Sequence, residues 1–360
     1  MHILHVMDFC PKKNAVFENF LIALTCRLKN EGIESHFIFS GTPDGRFSEA
    51  IEGKAGYSAV PWRGGLFNAV HTARIALRYR PRVIGYWFIP LFSSCCQISA
   101  RLPFVKRTIF LDHDSSSATI KAGFRKVLGK LRATICMQPI DEVVSVSYYN
   151  QARNVRRLFV PPSKNRVIYN GVVPKQSNPI SSAVPYFFYA GQIEKYKGVH
   201  TLATAFSDFL KDSPSTDIEL WFAGKGSAED EIRSIACAST LPERFKLLGL
   251  RNDVPSLMAG SIANIVPSEW AEACGLTAIE GMASGKPLIV SDAGALPEMV
   301  GDVALVFERG DSKQLTEMLA LTVSNSYQGM AVRASERVKE LFLFDRMLDE
   351  YTKLFLAATH

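Results

Sequence analysis

Two carboxylates raise the first chemical question. Glu272 and Glu280 stand in "EWAEACGLTAIEGMASGKP", residues 269–287, with seven residues between them. Eight positions at about 100° each leave an offset of roughly 80° on one helix, so the pair would not stack as neighbours. Gly275 interrupts the segment, good helix formers follow it, and Gly285 and Pro287 read as a stop. The spacing predicts a loop through Gly275 and then a helix over about 276–284. Glu272 then lies on the loop and Glu280 one turn inside the helix. The amides of Cys274, Gly275 and Leu276 point ahead of the helix end, where free N–H groups and the helix dipole suit an anion. A carboxylate on either side of such a phosphate cradle accepts hydrogen bonds from neutral hydroxyls, as on a sugar.

Other segments offer chemistry of the same kind. "YAGQIEKYKGVHTLATAF", residues 189–206, reads as a strand, a glycine turn at Gly191 and a helix, with Lys197 at the helix start. A lysine there can neutralise a diphosphate or simply sit on the surface of a turn. "WFAGKGSAEDEI" carries Gly224 and Gly226 after a strand, but Glu229 holds the place of the third glycine of a dinucleotide fingerprint. An NAD site is thereby disfavoured, and a tight turn touching a nucleotide remains. "GMASGKP" imitates a P-loop but is one residue short and ends a helix instead of opening one. "FLDHDSSSAT" places His113 between Asp112 and Asp114 at a strand end. With no other ligand cluster in the sequence, no metal site is expected. His113 either meets a substrate hydroxyl or bonds a neighbouring loop.

The elements that must position these groups form two series. "HILHVMDF", "ESHFIFS", "VIGYWF", "RTIFLDH", "EVVSVS" and "NRVIYN" read as strands with helical patterns between them, which is a doubly wound parallel sheet. The stretch "NGVVPKQSNPISSAVPYFF", rich in proline and serine, reads as a linker. A second series follows through "YFFYAG", "IELWFAG", "FKLLGL", "IANIVPS", "PLIVSD" and "ALVF". The fold class is therefore α/β, with two doubly wound domains facing across a cleft and ligands at the carboxyl ends of the strands.

Composition narrows the function. The 360 residues suffice for two cores, and 47% hydrophobic with 21% charged residues is ordinary for a globular protein. The seven cysteines include no C-x-x-C pair, which fits a reducing, cytoplasmic compartment. "MHILHVMDF" reads as a strand and not as a signal peptide. The apolar run at residues 83–100 contains Pro90, Ser93, Ser94 and Gln97, so it reads as a buried strand and helix and not as a membrane span. The net charge of +6 hides an asymmetry: residues 1–175 hold 25 Lys+Arg against 11 Asp+Glu, and residues 176–360 hold 16 against 24. The first half is therefore expected to meet something anionic. In "KAGFRKVLGKLRATI", residues 121–135, Phe124, Leu128, Leu131 and Ile135 share one side, and Lys121, Arg125, Lys126, Lys130 and Arg132 crowd the rest. Either an anionic membrane or the protein's own core can take that apolar side. No nucleic-acid-binding pattern is present in the sequence.

With these motifs in hand, the second half resembles the GT-B retaining glycosyltransferases of family 4. "GQIEKYKG", "WFAGKG", "FKLLGL" and "VPSEWAEACGLTAIEGMASGKPLIVSDAGALPEMV" carry the resemblance, including the glutamate pair Glu272 and Glu280. "ILHVMD", "FLDHD", "EVVSVSYYN" and "VIYNGV" carry it more weakly in the first half. The resemblance implies an acceptor-side domain over 1–174, a donor domain over 186–340, and a last helix over 341–360 packing back toward the first. It implies a UDP- or GDP-sugar donor, transfer with retention to a sugar or lipid-linked acceptor, and no tightly bound metal. Glu280 would hold the ribose, Glu272 the sugar, and Lys197 the departing diphosphate, while His113 would reach the donor sugar from the other domain. Gly191, Gln192, Gly224, Gly226, Cys274, Gly275 and Leu276 would line the donor, and Lys12, Lys13 and Asn14 the acceptor side. Three departures stand out: Gln192 replaces the family's arginine, "PKKNAVF" replaces its first glycine pair, and Val173 stands where the family has an aspartate. A nucleotide-sugar epimerase and an inactive sugar-nucleotide-binding scaffold are the alternative readings.

Overall fold

The computed structural model describes residues 1–11, 16–114, 124–174, 178–180, 182–324 and 327–359. Lys12, Lys13, Asn14 and Lys121 lie outside the described residues, as do the side chains of Phe124, Arg125 and Lys126. The chain divides into two compact units, one ending at Tyr169 and resuming at Phe344, the other running from Asn170 to Leu343.

The first unit contains β1 (His2–Met7), α1 (Val16–Asn30), β2 (Glu34–Phe39), α2 (Gly45–Ile51), β3 (Ala55–Ala59), α3 (Gly65–Tyr79), β4 (Val83–Trp87), α4 (Ser94–Ser99), β5 (Arg107–Asp112), α5 (Phe124–Cys136), β6 (Glu142–Ser145), α6 (Tyr148–Leu158) and β7 (Asn165–Val167). Its seven strands run in the order β3-β2-β1-β4-β5-β6-β7, and all pairs are parallel. The central strands are apolar on both faces because helices cover both sides, as parallel sheets require. β3 was not expected. It is a half-exposed edge strand, "AGYSA", too weakly apolar to announce itself.

The second unit contains β8 (Tyr186–Ala190), α7 (Val199–Asp212), β9 (Glu219–Ala223), α8 (Glu229–Ala238), β10 (Phe245–Gly249), α9 (Val254–Gly260), β11 (Ala263–Val266), α10 (Leu276–Ala283), β12 (Leu288–Ser291), α11 (Leu296–Val300), β13 (Leu305–Phe307), α12 (Ser312–Ser324) and α13 (Gln328–Leu341). Its strand order is β10-β9-β8-β11-β12-β13, again all parallel. Chain order reverses between β8 and β11, so the loops after these two strands leave the sheet side by side, the usual place for a ligand in an open α/β sheet.

The expected boundary at 174 falls late. Val172 N donates to Phe342 O at 2.8 Å and so ties residues 170–174 to the second unit. The last helix, α14, spans Phe344–Thr359 and not 341–360. It belongs to the first unit, where Leu348, Tyr351 and Phe355 share a core with Phe20, Leu24 and Trp87 and Arg27 pairs with Asp349.

Candidate active site

The loop after β8 is built around its own backbone. Tyr189 donates its hydroxyl to Gln192 O at 2.6 Å, and burial, followed by the charge of Glu272, pushes that phenol upward. Ile193 N donates to Lys225 O at 3.0 Å, and Ala228 N to Ile193 O at 3.0 Å, which fastens the loop to the β9–α8 turn. A Cβ on Gly224 would lie 1.8 Å from Gly191 O, and one on Gly226 would lie 2.1 Å from Ile193 O. These glycines therefore let two loops touch, and the missing third glycine has no bearing on that role. Glu194 caps the contact by accepting from Ser227 N at 2.9 Å and Ser227 Oγ at 2.6 Å, which lowers its pKa.

A short 3-10 turn, Lys195–Lys197, carries the loop into α7. Gly198 follows at φ +69°, and a Cβ there would lie 1.8 Å from Pro267 O in the loop after β11. Glu269 N and Trp270 N both donate to Tyr196 O, at 3.0 and 2.9 Å. The two switch-point loops are thus joined, backbone to backbone. Lys197 and Glu272, 75 positions apart, consequently meet: Nζ donates to Oε1 at 2.6 Å. Ser268 Oγ donates to the same carboxylate oxygen at 2.9 Å, so Glu272 is held from two sides. Glu269 is similarly engaged by Thr201 Oγ1 at 2.6 Å and His200 Nε2 at 3.2 Å.

α10 begins where the sequence placed it. Gly275 adopts φ +76° as the N-cap and has no side chain to offer the first-turn amides. Ala295 N donates to Glu272 O at 2.9 Å, and a Cβ on Gly294 would lie 2.4 Å from that oxygen. The loop after β12 therefore fixes the backbone that presents Glu272. Cys274 is buried, and burial pushes its thiol up to about 12. Leu276 is exposed at the helix start, and Glu280 is half-buried one turn on.

The second unit thus brings together Gly191, Gln192, Lys197, Gly224, Gly226, Glu272, Cys274, Gly275, Leu276 and Glu280 around three adjoining loops and one helix end. Gln192 does not act as a cation; its Oε1 accepts the Tyr196 hydroxyl at 2.6 Å. Sequence reasoning passed over Tyr196, Ser268 and Gly294. The first two are short-range partners with no motif of their own, while Gly294 was legible only as a glycine after a strand.

His113 belongs to the first unit, at the end of β5. It lies among Phe17, Trp87 and Phe88, with ring centroids 5.8, 5.9 and 5.0 Å away. Burial lowers its pKa to about 4, and its Nε2 has no hydrogen-bond partner among the described residues. The ring is therefore neutral at pH 7, free to offer or accept one hydrogen bond. The adjacent Asp112 anchors the strand end by accepting from Arg153 at 3.0 Å and Asn154 at 2.6 Å.

Comparison with known proteins agrees with this construction. Residues 174–341 match the model of glycosyl transferases group 1, and residues 17–176 match that of Glycosyltransferase Family 4. The chain is 22% identical over 353 residues to N-acetyl-alpha-D-glucosaminyl L-malate synthase of Bacillus anthracis, covering 91% of this chain and 90% of that protein. Its fold is similar to a glycosyltransferase from Rickettsia africae ESF-5, with a TM-score of 0.82 at 17% identity over 99% of this chain and 98% of that one. It is also similar to Anabaena Alr3699/HepE in complex with UDP, with a TM-score of 0.76 at 17% identity over 99% and 100% of the two chains. Between them the two family models span residues 17–341, and this chain, with its two doubly wound units, belongs to the GT-B glycosyltransferases of family 4.

Proposed function

We propose that the second unit holds a nucleotide-diphosphate sugar and that the enzyme transfers the sugar, with retention of anomeric configuration, to an acceptor hydroxyl. The observation that carries this reading is the meeting of Lys197 with Glu272 beside an α10 N-terminus whose cap is a glycine. An ammonium and a set of helix amides address a diphosphate, and a carboxylate beside them addresses sugar hydroxyls. The similarity to HepE, whose structure contains UDP, supports a uridine donor, with a guanosine donor as the alternative.

On this reading the reaction turns on the leaving group. Breaking the sugar–phosphate bond places negative charge on the diphosphate, and Lys197 exchanges part of its bond to Glu272 for the phosphate oxygens as that charge grows. The acceptor hydroxyl attacks the face the diphosphate leaves and passes its proton to the departing phosphate oxygen. Glu280 holds the ribose. No tightly bound metal takes part, so a chelator leaves turnover intact. The acceptor is lipid-linked, as in surface polysaccharide or glycolipid assembly, and the enzyme works in the cytoplasm at the inner face of the membrane.

Gln192 favours one competing reading, a binder without turnover, because it leaves the leaving-group site without the family's guanidinium. Thermal unfolding with a panel of UDP-, GDP- and ADP-sugars separates the cases. A donor that raises the midpoint and is slowly hydrolysed supports transfer; an isomerised donor identifies an epimerase; stabilisation without turnover identifies the scaffold. A panel in which no nucleotide sugar shifts the midpoint refutes the donor site itself.

A further inference from the structure

We infer that the α3–α4–α5 side of the first unit is a docking surface for an anionic phospholipid bilayer. The inference deepens the reading of a lipid-linked acceptor, and its test does not depend on the donor.

Three observations lead there. The first is charge. Between residues 53 and 140 the chain holds 14 Lys+Arg, and its acidic residues are Asp112 and Asp114 alone. Asp112 is buried against Arg153, and none of α3, α4 and α5 contains an acidic residue. The acids that follow α5 are engaged: Asp141 accepts from Thr108 N at 2.8 Å, and Glu142 pairs with Arg166 at 2.8 Å.

The second observation is exposure. Leu66 and Leu77 on α3 are 69% and 58% exposed, and Val127, Leu128, Leu131 and Ile135 on α5 range from 50% to 64%. The apolar side of α5 thus does not face the core, which is met instead by Ala133 and, just past the helix, by Met137. Exposed basic side chains stand among the apolar ones, with Arg74 and Arg78 on α3 and Lys130 and Arg132 on α5.

The third observation is that these helices form one layer. Ala76, Cys95, Cys96 and Met137 pack into a single core cluster with Leu4, Val6, Ile84 and Tyr86 of the sheet. Thr72 Oγ1 lies 3.2 Å from Cys95 Sγ, Gln97 Nε2 donates to Cys136 O at 3.0 Å, and Arg101 donates to Ile135 O at 3.2 Å. Their outward sides therefore belong to the same face of the sheet.

Single exposed apolar residues need no explanation, but a layer that mixes them with cations and lacks any acid does. The combination suits the headgroup region, where leucines enter the acyl boundary and lysines and arginines meet anionic lipid. A second copy fits poorly, since a two-fold contact would set two acid-free faces against each other. No described helix is long and apolar enough to cross a membrane, so the attachment inferred is peripheral.

The test is co-sedimentation of the full chain with two kinds of vesicle, pure phosphatidylcholine and a mixture containing phosphatidylglycerol. We expect partition onto the anionic vesicles at least tenfold above that onto phosphatidylcholine at low salt, and less at about 0.5 M salt, where charge is screened within about 4 Å. The triple variant Leu128→Ser, Leu131→Ser, Ile135→Ser should lose partition at least tenfold at either salt. Arg74→Gln with Arg78→Gln should lose about fivefold per residue at low salt and less at high salt. Both variants alter exposed side chains, so the unfolding midpoint and its shift by a donor sugar should match the parent chain; that shift reads the donor site separately. Absence of binding to anionic vesicles at low salt overturns the inference, as does binding that neither variant weakens. A concentration-dependent dimer abolished by the leucine variant would overturn it in favour of a second copy.

Discussion

The two sheets are wound alike, yet the loops around them use glycine differently. In the second unit a side chain at Gly198, Gly224, Gly226 or Gly294 would strike a backbone oxygen at 1.8 to 2.4 Å. In the first unit Gly32, Gly45, Gly53, Gly64 and Gly65 face open space. The second unit uses its glycines to bring the loops after β8, β9, β11 and β12 into main-chain contact, and the junction at Gly198 is what places Lys197 on Glu272. The first unit instead holds neutral imidazoles, His5 and His36 buried and His113 half-buried. Burial lowers His5 to about 3 and His36 and His113 to about 4. The second unit sets its Lys197–Glu272 pair at a loop junction, while the first encloses its sheet histidines in surroundings that disfavour their protonation.

The largest effect should come from breaking a loop junction. Gly198→Ala forces a left-handed residue to carry a Cβ against Pro267 O, and we expect a loss of about 3 kcal/mol or more together with the Lys197–Glu272 contact. Denaturant unfolding measures it, and a loss under about 1 kcal/mol would mean that the loops separate easily.

Acid should then discriminate between the units. A histidine whose folded pKa lies below its unfolded value binds more protons when unfolded, so stability falls as pH drops from about 6.5 toward 4. His113, at about 4 when folded, accounts for about 3 kcal/mol over that interval. His5 and His36 act in the same direction, while Asp112, raised chiefly by burial, acts in the opposite one. The strands β8 and β11 of the second unit carry no histidine. Hydrogen exchange at pH 5 should therefore open peptides of β1, β2 and β5 well before those of β8 and β11; equal opening would erase the contrast.

A smaller effect probes the departure at Gln192. Gln192→Arg restores a cation next to Lys197 at the expense of the Tyr196 hydroxyl contact, and turnover should rise by about tenfold, or about 1.4 kcal/mol of barrier. No change would mean that Lys197 and the helix amides already supply the needed charge. The smallest effect concerns thiols: alkylation at pH 8 should modify the exposed Cys237 and leave the buried Cys274 untouched, with turnover unchanged.

Much of the candidate site's geometry was legible because its logic is local. Gly275 before a run of helix formers announces a helix start, and the chain does begin α10 at Leu276. The alternation of strands and helices likewise gave two parallel sheets, missing β3 because an edge strand does not need an apolar sequence. The pairing of Lys197 with Glu272 was not legible. It follows from strand order, which sets β8 beside β11, and strand order is not written in spacing. The charge asymmetry was plain in the sequence, but the outward turn of Leu128, Leu131 and Ile135 depends on Ala133 and Met137 taking the core side, a rotation that periodicity alone left open. The neutrality of His113 depends on aromatic neighbours from two separate segments, Phe17 on one and Trp87 with Phe88 on the other.

The central claim is that Lys197 stabilises a departing diphosphate. Its most direct test is single-turnover kinetics of Lys197→Ala with the nucleotide sugar that most stabilises the parent chain, alongside the dissociation constant for that donor. The account predicts a rate reduced by on the order of 100-fold or more, with affinity changed far less, as when a preorganised donor is lost elsewhere. A rate equal to that of the parent chain, at normal donor affinity, would contradict it.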